Sequence, residues 1–550
     1  MIDTEATTEE VSRPVIKVRK GDLPRVLDAS EDALIAGGVP IYQRGLNLYH
    51  PVRADAINKS DPDGVVIEET GKSKWVVRRR QGTLVLSAVT APWLRERMIE
   101  TAEWFAYKGG KADAGWYLIE PEMLMVNTLI SRQDWRFPVL RGISAAPLLD
   151  IDGRIVETEG YDKGTGMLLE FGELKFPPVP TNPTRTDAIA ALQRLARPFR
   201  EMPWGNSTES TRTLPNPNRS VALSGMLTVM VRSSMRAAPL HIFDAPVPAS
   251  GKSMIADCIG IVKTGSEPAA MSQGPDDEED EKRLSTVLAS GDPVILLDNC
   301  TRPLTGDFLC SVLTQEVVQA RILGQSERRV MPSASFLIAT GNNMITAGDT
   351  FRRVVLCTLD PKCERPDERK FDFDAREEVR AERVNLAIDA LTCLKAYRVA
   401  GDPLRGTLKP MGSFEDWDWI RETLVWLGEI DPAETRQTIL SNDSAAQELE
   451  AIMTAWEKEY GDKLLAVSDL RPDSPTGRLL QEATNKNDWS PKSVGRWLNR
   501  HKDRVKAGKT FRIVSKKGGT ITWQLEGAQA RLKARPEVQV DDHMIQDLRM

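Results

Sequence analysis

The stretch HIFDAPVPASGKSMIADC, His241 to Cys258, carries the residue types best suited to hold a phosphate. Gly251, Lys252 and Ser253 stand together between an apolar run and a helical one. Backbone N–H groups from Ala249, Ser250, Gly251, Lys252, Ser253 and Met254, together with the lysine ammonium and the helix dipole, would hold an anion there. The Ser253 hydroxyl would reach a metal ion carried with it. The usual pattern, G-x-x-x-x-G-K-[ST], has a glycine where this chain has Pro246. Proline lacks an N–H and fixes φ, but Pro246 and Pro248 precede the donors, so few phosphate contacts are lost while the entrance of the loop differs from the common form. A bare Gly-Lys-Ser is weak evidence; the strand before it and the helix after it give it weight.

Three further features follow in chain order. The apolar run DPVILLDN ends in Asp298, whose carboxylate is placed to hold the water shell of Mg²⁺. The run SFLIATGNN ends in Thr340, Asn342 and Asn343, polar groups able to orient an attacking water. GDTFRRVVLCTLD sets Arg352 and Arg353 just ahead of another strand. Each has a plain reading: a loop-starting acid, a polar strand end, a salt-bridging arginine. Their order argues for binding of ATP with Mg²⁺. The residue after Asp298 is Asn299, and an amide cannot act as general base. Glu279 and Glu281 in DDEEDEKRL are candidates for that role, although acids also simply favour a helix start.

The elements that must position these groups are legible as alternation. Between about 206 and 365, helical stretches alternate with the apolar runs PLHIFDA, PVILLDN, SFLIAT and RVVLCTLD, the pattern of a parallel sheet covered on both faces. From 21 to 175, short β-like runs (KWVVRRR, GTLVLS) alternate with turn signals around one helical run, PWLRERMIETAEWFAY, which predicts an α+β domain with hairpins at Asp152-Gly153 and near Gly164–Gly166. The prolines of KFPPVPTNPTRTDA mark a linker, leading through 176–205 into the central domain. A helical segment covers 366–460, a final small domain 461–527, and polar tails 1–20 and 528–550 are expected to lack structure. The fold class is therefore multidomain, α/β and α+β.

Composition narrows the setting. The chain has 550 residues, a net charge of −6 and four histidines, so a basic coat over the whole surface and a histidine metal centre are both disfavoured. Six cysteines without a CxxC pair fit reduced core thiols. No apolar run approaches the roughly 18 residues of a membrane helix, and the first residues carry no apolar leader, which predicts a cytoplasmic chain without membrane contact.

The order of loop lysine, strand Asp, strand Asn and Arg before a strand resembles the AAA+ ATPases. The string from DNCTRPLTGDFLC to TFRRVVLCTLD, with RGISAAPLLDIDGRIVETEGYDKGTGM before it and GSFEDWDWIRETLVWLGEIDP after it, resembles the helicase part of phage and prophage primase/helicase proteins, relatives of superfamily 3 helicases. The resemblance implies a central AAA+ P-loop ATPase domain. In it Lys252 and Ser253 are the Walker A pair, Asp298 the Walker B acid, Asn342 the first sensor, and Arg352 or Arg353 an arginine finger acting across a subunit boundary. It also implies a homo-oligomeric ring, a hexamer, and a separate primase or other replication protein as partner.

Two places suit nucleic acid. ARILGQSERRV reads as a β-hairpin carrying Arg321, Arg328 and Arg329, and in the resembled helicases a hairpin there grips one strand in the ring channel. SPKSVGRWLNRH reads as a helix capped by Ser490 with Val494, Trp497 and Leu498 on one face and Lys492, Arg496 and Arg500 beside them. FRIVSKKGGTITWQL then reads as a two-stranded wing with Lys516 and Lys517 at its tip, so the end region is expected to be a DNA-binding winged helix, a form that also docks protein. The reading is an ATP-dependent DNA helicase or remodelling motor of a phage-like replication module, acting on single-stranded or forked DNA. A non-translocating ATP-switch initiator or loader and a DNA-binding regulator with a degenerate P-loop are the alternatives, and Asn299 favours the former of them. No primase site is expected, since Asp150 and Asp152 flank a turn that explains them.

Overall fold

The computed structural model describes residues 13–54, 65–69, 76–109, 114–321, 328–344, 346, 349–363, 365–369, 371–436, 444–484, 488–504, 506–517 and 520–527. The chain divides into two compact units, one ending at Arg436 and one beginning at Gln437.

The first unit is built on five parallel strands: Leu240–Ala245, Ala269–Ser272, Val294–Cys300, Phe336–Asn342 and Val354–Thr358. In space they lie in the order fifth, first, fourth, third, second. The first and third strands flank the fourth and both pair with its Ile338, through His241↔Ile338 and Leu296↔Ile338. Helices cover the sheet, which is why these strands are apolar without alternation. Helix Pro217–Val231 is buried from Ser220 onward, and Lys252–Thr264 buries Ile255, Ile259 and Val262. Four of the five strands correspond to the apolar runs of the sequence. Ala269–Ser272, AAMS, was not among them, because one methionine among two alanines and a serine is too short a run to signal a buried strand.

Two antiparallel strands extend this sheet beyond its second strand. Val76–Arg80, the expected strand of KWVVRRR, pairs through Arg78↔Ala270, and Val65–Glu69 pairs with it in turn. A buried ion pair fixes the junction: Arg79 Nε and Nη2 donate to both oxygens of Asp292 at 2.8 and 2.7 Å. The sheet of the central region thus includes strands from the N-terminal region.

The remaining N-terminal elements form small layers. Val15–Val18, Glu103–Lys108 and Gly115–Ile119 make one three-stranded sheet, packed through Ile16 and Trp104 on Leu27, Leu34, Met98 and Val126. The run PWLRERMIETAEWFAY is only half helical. Helix Ala91–Thr101 stops at Ala102, which is extended, and the indole of Trp104 donates to the carbonyl of Met98 at 2.9 Å, drawing the chain back as a strand. Hairpins form at both expected turns, Leu148–Leu149 with Ile155–Val156 and Gly160–Asp162 with Met167–Leu169. Gly153, at φ +83°, supplies the left-handed residue the first turn requires.

The second unit runs helix Ser444–Tyr460, strand Leu465–Ala466, helix Pro475–Ala483, helix Pro491–His501, and strands Lys509–Lys517 and Thr520–Gly527. Its sheet places Thr520–Gly527 in the middle. One core joins all of it, with Trp456, Leu480, Val494, Leu498, Phe511 and Trp523 buried together. Helix Ser444–Tyr460 therefore belongs to this core through Ile452, Met453 and Trp456, ahead of the expected boundary at 461.

Candidate phosphate-binding site

Three of the groups singled out in the sequence, the loop at Lys252, Asp298 and Asn342, converge at the carboxyl ends of the parallel strands, whereas Arg352 and Arg353 stand at the amino end of the fifth. The first strand ends at Ala245, and Pro246–Ser250 carry the chain into helix Lys252–Thr264. Two left-handed residues shape this loop, Ala249 at φ +56° and Gly251 at φ +99°. Glycine adopts that conformation freely, whereas alanine does so at a cost of about 1 kcal/mol or more, a strain characteristic of sites where geometry is imposed. A Cβ on Gly251 would press on Met202 at 3.1 Å, a second reason for glycine there. The Ser250 hydroxyl donates to the carbonyl of Val247 at 2.6 Å and closes the turn at the position that Pro246 and Pro248 leave without N–H donors.

The amides of Gly251, Lys252, Ser253 and Met254 have no acceptor among the described residues, as expected at a helix start. Lys252 is buried and its Nζ donates to Asn342 Oδ1 at 2.7 Å and to the Val247 carbonyl at 3.2 Å. Burial lowers its pKa, while the nearby Asp244 and Asp298 carboxylates act in the opposite sense. The loop lysine and the fourth-strand amide are thus in direct contact across 90 residues of chain.

Asp298 lies one strand away. The Thr340 hydroxyl donates to Asp298 Oδ1 at 2.7 Å and accepts from the Asn299 amide at 3.1 Å, so the third and fourth strands are tied at their ends. Asn299 and Asn343 both sit at φ +52°, a left-handed conformation that asparagine tolerates. Glu279 and Glu281 do not join this cluster. Glu279 pairs with Lys282 and Arg283, and Glu281 lines a separate cleft over Leu297 and Cys300; neither touches Lys252, Asp298 or Asn342 among the described residues.

Several groups at the site were not singled out in the sequence. Asp244, on the first strand, accepts from the Met344 amide at 3.0 Å and so holds the turn after the fourth strand beside the loop. Burial raises its pKa against the pull of those amide donors and of Lys252. Its signal was an acid in an apolar strand, readable there only as a strand end. Asp257, one turn into the helix, accepts from Arg376 Nε at 2.7 Å. A cleft of about 390 Å³ opens over Ala249–Met254 and is walled by Met202, Arg369, Phe371, Phe373 and Arg376. The guanidinium of Arg369 stacks 4.7 Å from the Phe371 ring. Apart from Met202, which precedes helix Pro217–Val231, these wall residues come from the chain after the fifth strand, Arg376 from helix Ala375–Ala381, and no local motif marks them.

Arg352 and Arg353 lie on a 3₁₀ turn, Thr350–Arg353, directly before the fifth strand, and both pair with Asp349. The Arg352 side chain is 61% exposed and that of Arg353 19%, so Arg352 is the one free to reach outward. The hairpin is present as Val317–Arg321 paired with Arg328–Pro332, Arg321 opposite Arg328. Arg329 is half-buried; the Arg321 and Arg328 side chains and residues 322–327 lie outside the described residues. The hairpin packs on the turn at Gly45, where a Cβ would lie 1.9 Å from the Val330 carbonyl oxygen.

In the second unit, Lys492, Arg496 and Arg500 are exposed along one stripe of helix Pro491–His501, at i, i+4 and i+8. The opposite face buries Val494, Trp497 and Leu498. None of the three cations has an ion-pair partner among the described residues, whereas Lys506, Lys509 and Arg512 pair with Glu450, Glu457 and Glu526. Lys516 and Lys517 close the strand before the tip, and their side chains lie outside the described residues.

No helix among the described residues is long and apolar enough to cross a membrane. No protein-family model matches the sequence, and no curated protein matches it. Among solved structures, the fold is similar to the apo C-terminal region of NrS-1. One such structure matches with a TM-score of 0.36 and 10% identity over 84% of this chain and 97% of that one. A second, described as spanning residues 305–718, has a TM-score of 0.35 and 9% identity over the same shares. Likeness at that level carries no argument about function.

Proposed function

We propose that the chain is a P-loop ATPase of AAA+ type that acts as a DNA helicase or DNA-remodelling motor in a phage-like replication module. The observation that carries this reading is the contact between Lys252 Nζ and Asn342 Oδ1 in front of a helix start with unpaired amides. It joins a phosphate-holding cation to a polar group placed for an attacking water. The chain order supports the same reading: loop after the first strand, Asp298 on the third, Asn342 ending the fourth, arginines before the fifth.

In this reading the triphosphate of ATP lies along Ala249–Met254 and its base in the cleft beside Phe371 and Phe373. On binding, Lys252 exchanges Asn342 and Val247 for phosphate oxygens, which frees the Asn342 amide to orient water. Ser253 and Asp298 would hold Mg²⁺, whose charge neutralises the phosphates; a hydroxyl and one carboxylate with waters suffice for that ion. Arg352 supplies charge to a neighbouring subunit's site in a ring. The Lys492, Arg496, Arg500 stripe, in a winged-helix arrangement of three helices and a sheet, and the arginine hairpin provide DNA contacts. One observation favours slow, switch-like hydrolysis in an initiator or loader: Asn299 stands where a carboxylate base would be, and its side-chain amide cannot take a proton from water.

ATP hydrolysis measured with and without single-stranded DNA, followed by strand displacement on a forked duplex, tests the proposal. Lys252→Ala is expected to abolish hydrolysis while the circular dichroism spectrum is kept. Equal rates in variant and parent would overturn the site; hydrolysis without strand displacement would favour the switch.

A further inference from the structure

We infer that the outer face of the N-terminal three-stranded sheet is a platform for unstacked bases of a single-stranded nucleic acid. The inference goes beyond the ATPase reading and rests on no part of it.

The register fixes which side chains share this face. Trp104 and Ile16 point into the core, and Trp104 pairs with Ile119. Side chains alternate along a strand, so the opposite face carries Lys17, Phe105 and Leu118 in one row across the sheet, and Tyr107 with Trp116 in the next. Arg19, just past the first strand, continues that second row. The face is open: Tyr107 is 54% and Leu118 67% exposed. Tyr107 stands out in water and Phe105 and Trp116 are half-buried; none of the three rings belongs to the core of this unit, which lies on the other side.

The cations select the occupant. Lys17 Nζ lies 5.2 Å and the Arg19 guanidinium 5.3 Å from the centre of the Trp116 ring, and the Tyr107 ring meets Trp116 edge-on at 5.5 Å. Lys17, Arg19, Lys20 and Lys108 are all exposed, and none has a carboxylate partner among the described residues. The acids nearby are largely engaged, Glu103 with Arg13 and Glu120 with Arg95. At the end of the sheet the face runs into a groove of about 960 Å³ between Arg19, Lys20, Trp116 and the exposed Leu124, with Glu122 at its rim. Surface aromatic rings flanked by unpaired cations match the two surfaces of a single strand: a base stacks on the Trp116 ring in place of Lys17 and Arg19, and these cations turn to the phosphates. A protein partner would find apolar area here too, but a cluster of unpaired cations around the rings fits a polyanion better.

Fluorescence anisotropy of the full chain, without nucleotide, tests this with a fluorescein-labelled dT15 oligonucleotide and an abasic oligonucleotide of the same length. Trp116→Ala is expected to weaken dT15 binding by roughly 5- to 150-fold and to leave abasic binding unchanged, because only stacking is removed. Trp116→Phe should keep dT15 affinity within about threefold. Lys17→Glu with Arg19→Glu should weaken both oligonucleotides and lower the salt slope by about two units or more. If Trp116→Ala loses its folded spectrum, this charge-reversal pair decides the matter. Unchanged dT15 affinity in a folded Trp116→Ala chain, equal loss of dT15 and abasic binding in that variant, or an unchanged salt slope in the charge-reversal pair would overturn the inference.

Discussion

Replacing Asn342 with aspartate changes one atom type at the contact that defines the site, and the result can be worked from its geometry. Lys252 Nζ lies 2.7 Å from Asn342 Oδ1. A carboxylate at that distance attracts the ammonium by about 3–6 kcal/mol at an effective dielectric constant of about 20–40. The charged hydrogen bond it replaces contributes about 1.5–3 kcal/mol, so the net tightening is of order 1.5–3 kcal/mol. In the proposed function ATP binding must break this contact, and the new charge also repels the γ-phosphate. Asn342→Asp should therefore weaken ATP binding by at least 10- to 150-fold, on the order of 1.4 kcal/mol per factor of ten. The unliganded chain should be no less stable to heat, since a buried cation gains a partner. Calorimetric titration with ATP and Mg²⁺, beside Asn342→Ser as a neutral control, reads the effect. ATP affinity in Asn342→Asp within threefold of the parent, with Lys252→Ala unable to bind, would show that the lysine does not trade Asn342 for phosphate.

The arginine pair is separable by subunit mixing: Lys252→Ala chains combined with Arg352→Ala chains should regain hydrolysis at mixed interfaces, and Lys252→Ala with Arg353→Ala should not, as read by steady-state ATPase assay. A chain ending at Arg436 should stay folded and show a DNA-binding salt slope lower by about three units, one per residue of the exposed stripe, whereas a chain ending at 464 should aggregate because Trp456 loses Phe511, a contact of 5.1 Å between ring centres. His241 is fully buried between Phe336 and Trp417, and burial pushes its pKa down to about 3 against an ordinary 6.5. The unfolded chain takes up that proton first, so its share of stability is complete above about pH 6.5 and falls by about 1.4 kcal/mol per pH unit toward pH 3. Urea unfolding of the first unit at pH 7, 6 and 5 should accordingly show a shallower pH dependence in His241→Asn.

Much of the site was legible because its parts are local. The Gly251-Lys252-Ser253 turn, Asp298 and Asn342 each follow an apolar run long enough to be read as a buried strand, and the chain order alone brings them to one edge of a parallel sheet. What escaped is what depends on distant partners. Val76–Arg80 was readable as a strand, but its pairing with Ala270 spans nearly two hundred residues and leaves no trace in either segment. The end of helix Ala91–Thr101 was missed because no glycine or proline marks Ala102; the chain turns there because Trp104 is drawn into the core. Phe371, Phe373 and Arg376 reach the phosphate loop only through the path of the chain after the fifth strand. The basic hairpin and the stripe on Pro491–His501 were visible as periodicity and charge, since both are properties of single elements.

The strands Val65–Glu69 and Val76–Arg80 give the sheet a mechanical property. Val76–Arg80 joins Ala269–Ser272 at Arg78↔Ala270 and carries Val65–Glu69 on its other edge, and Arg79 is clamped to Asp292 immediately before the strand that bears Asp298. A hinge between the N-terminal region and the sheet would have to unzip a ladder and strand a buried charge, at a cost of several kcal/mol. The hairpin therefore behaves as a stiff lever arm. A tilt of the second or third strand carries the hairpin with it, and a force applied to the hairpin is felt next to the strand that bears Asp298.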